Sequence, residues 1–194
     1  MIFVFGHLGA FDSTLQLIPL RGYRAVALTA PSGTGPLPAA VTDLRAGRGF
    51  RVEEATLGGL RRLTRALRRG EAVVLAADRD FQGAGVPVCF FGRETILPGG
   101  AARLALATGA AIVVVICRRH GSRHTLTIEE PLRLAASGDT AADLRGGMAA
   151  IAAILEQHIR ATPEQWVMFQ RVWPAAPLLA SAGHRDDGLG ERHG

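Results

Sequence analysis

The chain has 194 residues, of which 48% are hydrophobic, and a net charge of +5. This length suits one domain with a substantial core, and no apolar run reaches the eighteen or so residues of a membrane-spanning helix. All 22 basic residues are arginine, a pattern typical of GC-rich coding bias, so the positive charge is partly compositional. Aromatic residues make up only 6%, which argues against nucleic-acid binding, where aromatic side chains stack on bases.

Six apolar runs of strand length lie along the chain. Several are apolar throughout instead of alternating with polar residues, as in strands that are covered on both faces. The predicted strands are residues 2–5, 24–28, 72–77, 86–91, 111–117 and 124–129.

Segments with helical spacing separate these strands. In the segment 57–69 a leucine stripe lies among five arginines, which predicts a core-facing stripe with a solvated basic face, or alternatively a membrane-surface helix. The predicted helices are residues 11–20, 37–47, 57–69, 99–108 and 140–160.

A further helix is predicted to begin at Thr162-Pro163, with Thr162 as N-cap and Gln165 completing a capping box. The alternation of strands and helices predicts an α/β fold with a largely parallel central sheet flanked by helices. Cys89 and Cys117 lie in apolar runs, which predicts buried thiols in a reducing compartment.

The two ends of the chain differ from the rest. Residues 175–194 are rich in Ala, Gly, Asp, Arg and His, which predicts a disordered tail after a domain at residues 1–174. The chain also begins directly on an apolar strand, so either the fold starts there or an upstream portion is missing.

His7 and Asp12 follow the first predicted strand, with Gly6 and Gly9 beside them. Ligands of open α/β sheets bind beyond the carboxyl ends of the strands, so a turn there could bring the carboxylate to the imidazole. The alternative is a structural histidine that caps a helix. In a chain of this composition, chance alone gives about half a match to the spacing His-x4-Asp/Glu, so the spacing is weak evidence by itself. The same spacing occurs a second time, from His124 to Glu129. That second pair lies along a predicted strand, where the two side chains point to opposite faces.

Two further segments are candidates for a site. Asp78, Arg79 and Asp80 directly follow a predicted strand, so these charges are solvated, paired or functional. Gly99 and Gly100 precede a predicted helix, whose free N–H groups could bind a phosphate or an oxyanion. The alternative is a glycine-rich loop that leads into a packed helix.

Four blocks in this order resemble the lysophospholipid acyltransferase superfamily. They are GHLGAFD, ADRDFQGAGVPVCFFG, LPGGAARLALATGAAIVVV and TPEQWVMFQRVWP. The most similar branch is that of the lipid A biosynthesis acyltransferases, which includes the phosphatidylinositol mannoside acyltransferases. The resemblance covers residues 1 to about 174.

The resemblance implies that His7 and Asp12 are catalytic. Some mannoside-acylating relatives carry glutamate where this chain has Arg93, so the acceptor stays open. Family members have a helical segment before the histidine motif, which implies that this chain is N-terminally truncated. The substrate-binding residues that the resemblance implies are Asp78, Arg79, Asp80, Phe91, Gly92, Arg93, Gly99 and Gly100.

The implied reaction moves a fatty acyl group from acyl-CoA or acyl carrier protein to a hydroxyl of a lipid or glycolipid. His7 would act as general base and Asp12 would orient it, while Arg79 or the backbone near Gly99 would stabilise the oxyanion. No cofactor and no metal are expected. The protein is expected to lie peripherally on the cytoplasmic face of the inner membrane. The alternatives are a degenerate, non-catalytic membrane or partner-binding module, and a hydrolase in which His7 activates water.

Overall fold

The computed structural model describes residues 1–12, 16–29, 47, 49–80 and 85–174. The strands are β1 Ile2–Phe5, β2 Ala25–Thr29, β3 Phe50–Glu54, β4 Ala72–Ala76, β5 Val86–Phe90, β6 Arg93–Leu97, β7 Ile112–His120 and β8 Arg123–Ile128. The helices are α1 Leu17–Leu20, α2 Leu57–Arg68, α3 Gly100–Thr108 and α4 Thr140–Ala161, followed by a 3-10 turn at Pro163–Gln165.

Six strands form the central sheet in the order β3-β2-β4-β1-β7-β8. Every neighbouring pair is parallel except β7 and β8, which are antiparallel. The predicted α/β fold with a largely parallel central sheet is therefore confirmed. The central strand β1 is flanked by β4 and β7, and this arrangement determines which residues lie beside its carboxyl end.

The two faces of the sheet are covered differently. On the helical face, Ile2 and Val4 of β1 are fully buried in one core with residues of α2, α3 and α4. On the second face, Phe3 and Phe5 lie in a smaller cluster with Phe11. Successive side chains of a strand point to opposite faces, so the all-apolar run of β1 serves both clusters.

An apolar cavity of about 580 Å³ opens on the second face. Met1, Leu17, Tyr23 and Ile128, which line it, are all exposed. The residues that line the cavity are Met1, Phe3, Leu17, Ile18, Arg21, Tyr23, Gly70, Ala72, Val115, Leu126 and Ile128.

Strands β3 and β6 were not predicted, and β5 does not join the central sheet. β3 reads FRVEE and β6 reads RETIL, so neither resembles an apolar run. β5 and β6 form a separate antiparallel hairpin, on which Val86, Val88 and Phe90 point inward. Cys89 lies on the outward face of this hairpin and is exposed, which corrects its predicted burial, whereas Cys117 is buried.

Three predicted helices need comment. The segment 11–20 contains helical residues 11–12 and α1, while residues 13–15 are outside the described part of the chain. The helix at 37–47 falls almost entirely outside it. The predicted helix after Thr162 is wrong, because only the single turn Pro163–Gln165 forms and Thr162 makes no capping hydrogen bond.

Among the helices that the structure describes, none is both long and apolar enough to cross a membrane.

Candidate active site

The carboxyl ends of β1 and β4 bring His7 beside Asp78. The two strands are parallel neighbours, with Phe5 opposite Ala76. Two residues further along each strand stand His7 and Asp78, so both leave the sheet at the same edge. Asp78 therefore lies beside His7 at this edge of the sheet.

His7 and Asp78 are joined by two short hydrogen bonds. The imidazole Nδ1 lies 2.7 Å from Asp78 Oδ1, and the backbone N–H of His7 donates to Oδ2 over 2.7 Å. An ionised carboxylate can only accept, so Nδ1 is the donor in this hydrogen bond. The imidazole is partly exposed while the Asp78 side chain is fully buried.

Asp78 is only 1% exposed, and a buried carboxylate needs hydrogen-bond partners to offset its lost hydration. A third donor completes the set, because the indole Nε1 of Trp166 donates to Oδ2 over 2.9 Å. The arrangement therefore holds a buried charge against the imidazole with three N–H groups.

The segment after α4 fixes the loop that carries His7. The N–H of Gly9 donates to the carbonyl of Gln165 over 2.9 Å, and the N–H of Val167 donates to the carbonyl of His7 over 2.7 Å. Gly9 has φ +59°, and a Cβ there would lie 2.1 Å from the carbonyl oxygen of Cys117. Only glycine fits this close approach.

Asp12 was predicted to orient His7, but the carboxylate on Nδ1 is that of Asp78. Asp12 lines a cavity of about 20 Å³ on the second face, with Phe5 and Val74 among its walls. Spacing along the chain and the family resemblance favoured Asp12, whereas parallel pairing of β1 and β4 brings Asp78 to the imidazole. A catalytic role for Asp12 stays a prediction.

On the same side, His7 contacts the ring of Phe11 edge-on, with 4.9 Å between centroids.

Arg79 and Asp80 lie next to Asp78 around a small cavity of about 40 Å³, which Met168 and Arg171 also line. Asp80 Oδ2 accepts from the backbone N–H of Gly85 over 3.1 Å. Substrate contacts of Arg79 and Asp80 stay a prediction.

Phe91 and Gly92 form the turn of the β5–β6 hairpin, and Arg93 is the first residue of β6. Phe91 stacks on Trp166, with 6.0 Å between ring centroids, and so reaches the site through the residue that binds Asp78. Arg93 lies 5.7 Å above the ring of Trp173. A direct contact of these three residues with substrate stays a prediction.

Gly99 and Gly100 lie at the start of α3. A Cβ on Gly99 would meet the side chain of Val86 at 2.6 Å, and one on Gly100 would touch Leu75 at 4.0 Å. Close packing therefore accounts for Gly99, and the predicted anion site at this helix start stays a prediction.

The second His-x4-Glu spacing does not form a pair. Glu129 instead binds a different histidine, His158, with 2.7 Å between Oε1 and Nε2. His124 lies on β8 opposite Arg119. Within the described residues, no three His, Cys, Asp or Glu side chains are grouped so as to hold a metal ion.

The contacts that Trp166 and Gln165 make around the site were not predicted from the residues. Trp166 belonged to one of the four blocks of the resemblance without a role of its own, and Gln165 was interpreted as a capping residue. Gln165 instead bonds the backbone of Arg119 at both N and O, over 2.8 and 2.9 Å. The parallel pairing of the first and fourth strands was the signal that could have favoured Asp78 over Asp12.

The sequence of the chain is similar to that of known proteins. Residues 1–174 match the family model described as bacterial lipid A biosynthesis acyltransferase. Over 137 residues, or 69% of this chain, the sequence is 37% identical to the phosphatidylinositol mannoside acyltransferase of Mycobacterium tuberculosis H37Rv. Over the same length it is 34% identical to the protein of that name from Mycolicibacterium smegmatis. The matches cover 42% and 43% of those relatives, so the chain spans about two fifths of their length. The chain belongs to the bacterial lipid A biosynthesis acyltransferase family.

Proposed function

We propose that the protein transfers a fatty acyl group from a thioester donor to a hydroxyl of a glycolipid, with His7 as the general base. The observation that carries this proposal is the hydrogen bond between His7 Nδ1 and Asp78 Oδ1. It leaves the lone pair of Nε2 available on a partly exposed ring. A neutral imidazole held in one tautomer is the base that activates alcohol nucleophiles in hydrolases.

The proposed step balances without a covalent enzyme intermediate. As the acceptor oxygen attacks the thioester carbonyl, Nε2 of His7 takes the hydroxyl proton, and the C–O bond forms. The tetrahedral intermediate then expels the thiolate, which receives the proton from the imidazolium. Asp78 stabilises the imidazolium charge during this step, and its three hydrogen bonds hold the carboxylate in one orientation.

The acceptor class is proposed from the relatives. Both named relatives are phosphatidylinositol mannoside acyltransferases, so we take a sugar hydroxyl of a mannosylated phosphatidylinositol as the first acceptor to test. The donor is acyl-CoA or acyl carrier protein. Arg93 at the hairpin turn differs from the glutamate expected in some mannoside-acylating proteins, so other glycolipids belong in the same assay.

We place the protein peripherally on the cytoplasmic face of the membrane, where a thioester donor and a lipid acceptor meet. The apolar cavity on the second face supports this, because it is lined almost wholly by carbon-rich side chains with Arg21 among them. An exposed apolar concavity of this kind favours contact with lipid.

The experiment incubates the chain with labelled palmitoyl-CoA and vesicles that contain a phosphatidylinositol mannoside, and follows acylated glycolipid by mass spectrometry. The expected product is the glycolipid carrying one added acyl chain. Release of free fatty acid at the same rate with and without acceptor would instead identify a hydrolase. Absence of both products with every glycolipid tested would contradict catalysis and favour a non-catalytic binding module.

A further inference from the structure

Trp166 links the aromatic residues of the hairpin to the carboxylate beside His7. Its indole Nε1 donates to Asp78 Oδ2 over 2.9 Å. Its backbone also forms an isolated antiparallel bridge with Leu8, the residue after His7. One residue therefore contacts both the carboxylate and the loop of the proposed general base.

The indole is held in place by three other rings, which together with Trp166 we call the aromatic cluster. Phe90 and Phe91 each lie 6.0 Å from Trp166 between centroids, and Trp173 lies 6.4 Å away. Trp173 is fixed in turn, because its Nε1 donates to the carbonyl of Phe90 over 3.0 Å. Rings that pack edge-to-face and stacked at these distances restrict one another's rotation.

Phe91 is held in an unfavourable backbone conformation within this cluster. Its φ is +55°, and among the described residues it is the single non-glycine residue with positive φ. Such a conformation costs energy and persists only where surrounding contacts enforce it. Glu156 Oε2 accepts from the Phe91 N–H over 2.7 Å, and the guanidinium of Arg160 lies 4.8 Å above the Phe91 ring.

The consequence concerns the two oxygens of Asp78. Oδ2 receives the indole N–H and the His7 backbone N–H, which leaves Oδ1 for the imidazole Nδ1. Without the indole, Oδ2 would lose one of its two donors and a fully buried carboxylate would be free to reorient. The imidazole would then no longer be held in the tautomer that keeps Nε2 deprotonated.

We propose that Trp166 is a positioning residue, whose indole N–H fixes the Asp78 carboxylate so that His7 presents Nε2 as a base. The catalytic part of this statement rests on the proposed function. The structural part, that the indole sets the tautomer of His7, does not.

The test compares Trp166→Phe with Trp173→Phe. Each variant keeps a ring in the aromatic cluster and removes one indole N–H, but only the first removes a donor to Asp78. Trp166→Phe is expected to lower kcat by about 10- to 100-fold, the factor that corresponds to one hydrogen bond to a charged group, with KM changed less than twofold. Trp173→Phe is expected to change kcat less than threefold. Equal losses in the two variants would overturn the proposal.

A second measurement does not depend on activity. Nitrogen-15 NMR of labelled imidazoles distinguishes Nδ1–H from Nε2–H, and the His7 signals are assigned by their loss in His7→Gln. The native chain is expected to show Nδ1–H, and Trp166→Phe a mixture of both tautomers. An unchanged tautomer in a folded variant would overturn the proposal even if the native chain transfers no acyl group.

A closer mimic covers the case in which Trp166→Phe does not fold. Replacement of Trp166 by benzothienylalanine puts sulfur where Nε1–H stands and keeps the shape of the indole. The same loss of kcat and the same mixture of tautomers are expected. Native values of both would overturn the proposal.

Discussion

Three polar groups of His7 are occupied by hydrogen bonds, two on the backbone and one on the ring. The backbone N–H and Nδ1 both meet Asp78, and the carbonyl accepts from Val167. The remaining ring nitrogen, Nε2, is the atom that takes the proton of the acceptor hydroxyl in the proposed mechanism. This residue is therefore oriented by its own backbone as well as by its side chain.

Loss of the imidazole should stop the reaction without unfolding the protein. His7→Gln is expected to reduce acyl transfer by roughly 10²- to 10⁴-fold, because a general base contributes about that factor. His124→Gln, the histidine of the other His-x4-Glu spacing, is the control and should keep native activity. Turnover with labelled acyl-CoA and thermal unfolding test both variants. Native turnover in His7→Gln would show that another group takes the proton.

The two carboxylates near the first strand should differ in effect. Asp78→Asn removes the acceptor of Nδ1–H and is expected to lower kcat by about 10²-fold or more, since the imidazole loses its fixed tautomer. Asp12→Asn, which alters a carboxylate on the second face, should have a much smaller effect if orientation is the only role involved. A larger loss in Asp12→Asn would restore the pairing that the spacing predicted.

Glu156 should make stability depend on pH. The hydrogen bond from Arg160, and then that from the Phe91 N–H, hold the pKa of Glu156 below its usual value of 4.5. A lowered pKa stabilises the folded state above about pH 4.5, and this contribution is lost as pH falls through the folded-state pKa. The native protein should therefore have a higher melting temperature than Glu156→Gln at pH 7. The difference between the two melting temperatures should shrink below pH 4.5. A constant difference would contradict the ion pair.

At the scale of single residues, the sequence singled out His7 as a candidate base, but it did not indicate Asp78 as the carboxylate on its imidazole. Spacing along the chain favoured Asp12, whereas Asp78 is 71 residues away. The choice depends on which strands are neighbours, and a pattern of apolar runs does not determine strand order. The contacts of Trp166 and Gln165 could not be predicted for the same reason, because they too depend on which segments lie side by side in the fold.

Among the elements, the loop from β1 and the turn after α4 act as a pair. Gly9 donates to Gln165, and Gln165 in turn bonds the backbone of Arg119 on β7. The loop that carries His7 is thereby tied to a neighbouring strand of the sheet. Any change that separates loop and turn should reduce activity before it unfolds the core.

Gly9→Ala tests the contact between the loop and the turn. The alanine would have to adopt a φ of +59°, and its Cβ would approach the Cys117 carbonyl oxygen to 2.1 Å. The substitution should therefore lower the free energy of unfolding by more than about 2 kcal/mol. Gly70→Ala is the matched control, because Gly70 has φ +75° but nothing within 4 Å of its Cβ position. It should cost about 1 kcal/mol. Urea unfolding measures both, and similar values would mean that the loop yields to the added methyl group.

Elements that carry an apolar run or an apolar stripe were well predicted, and strands that lack one were not. β1 and α2 begin where the pattern placed them, because burial on one or both faces determines their composition. β3 pairs with β2 at the edge of the sheet and reads FRVEE. Edge strands face solvent on one side and carry charge, so hydrophobicity gives little signal there.

For the whole molecule, the contrast between the two faces of the sheet predicts how it meets lipid. Helices α2, α3 and α4 bury the helical face, while the second face keeps the open cavity beside β1. Ile128 at its edge is 62% exposed. We expect the second face to adsorb to uncharged lipid through the hydrophobic effect.

Ile128→Gln should weaken binding to phosphatidylcholine vesicles by roughly 3- to 10-fold, since it removes part of the apolar area available for burial. Leu57→Gln is the control, because Leu57 is 79% exposed but lies on α2, over the helical face. Vesicle sedimentation measures both. Equal effects of the two variants would show that adsorption does not depend on the second face.

The distance along the chain between Asp78 and Trp166 also bears on when activity can arise. The residues around His7 come from positions 6–9, from Asp78 and from positions 165–167. During synthesis the base emerges first, its carboxylate later, and the indole that binds that carboxylate last. A nascent chain that lacks the final segment has no complete site, however well its first strands have formed. Long-range contacts of this kind also form slowly, so the appearance of transferase activity should mark a late step of folding.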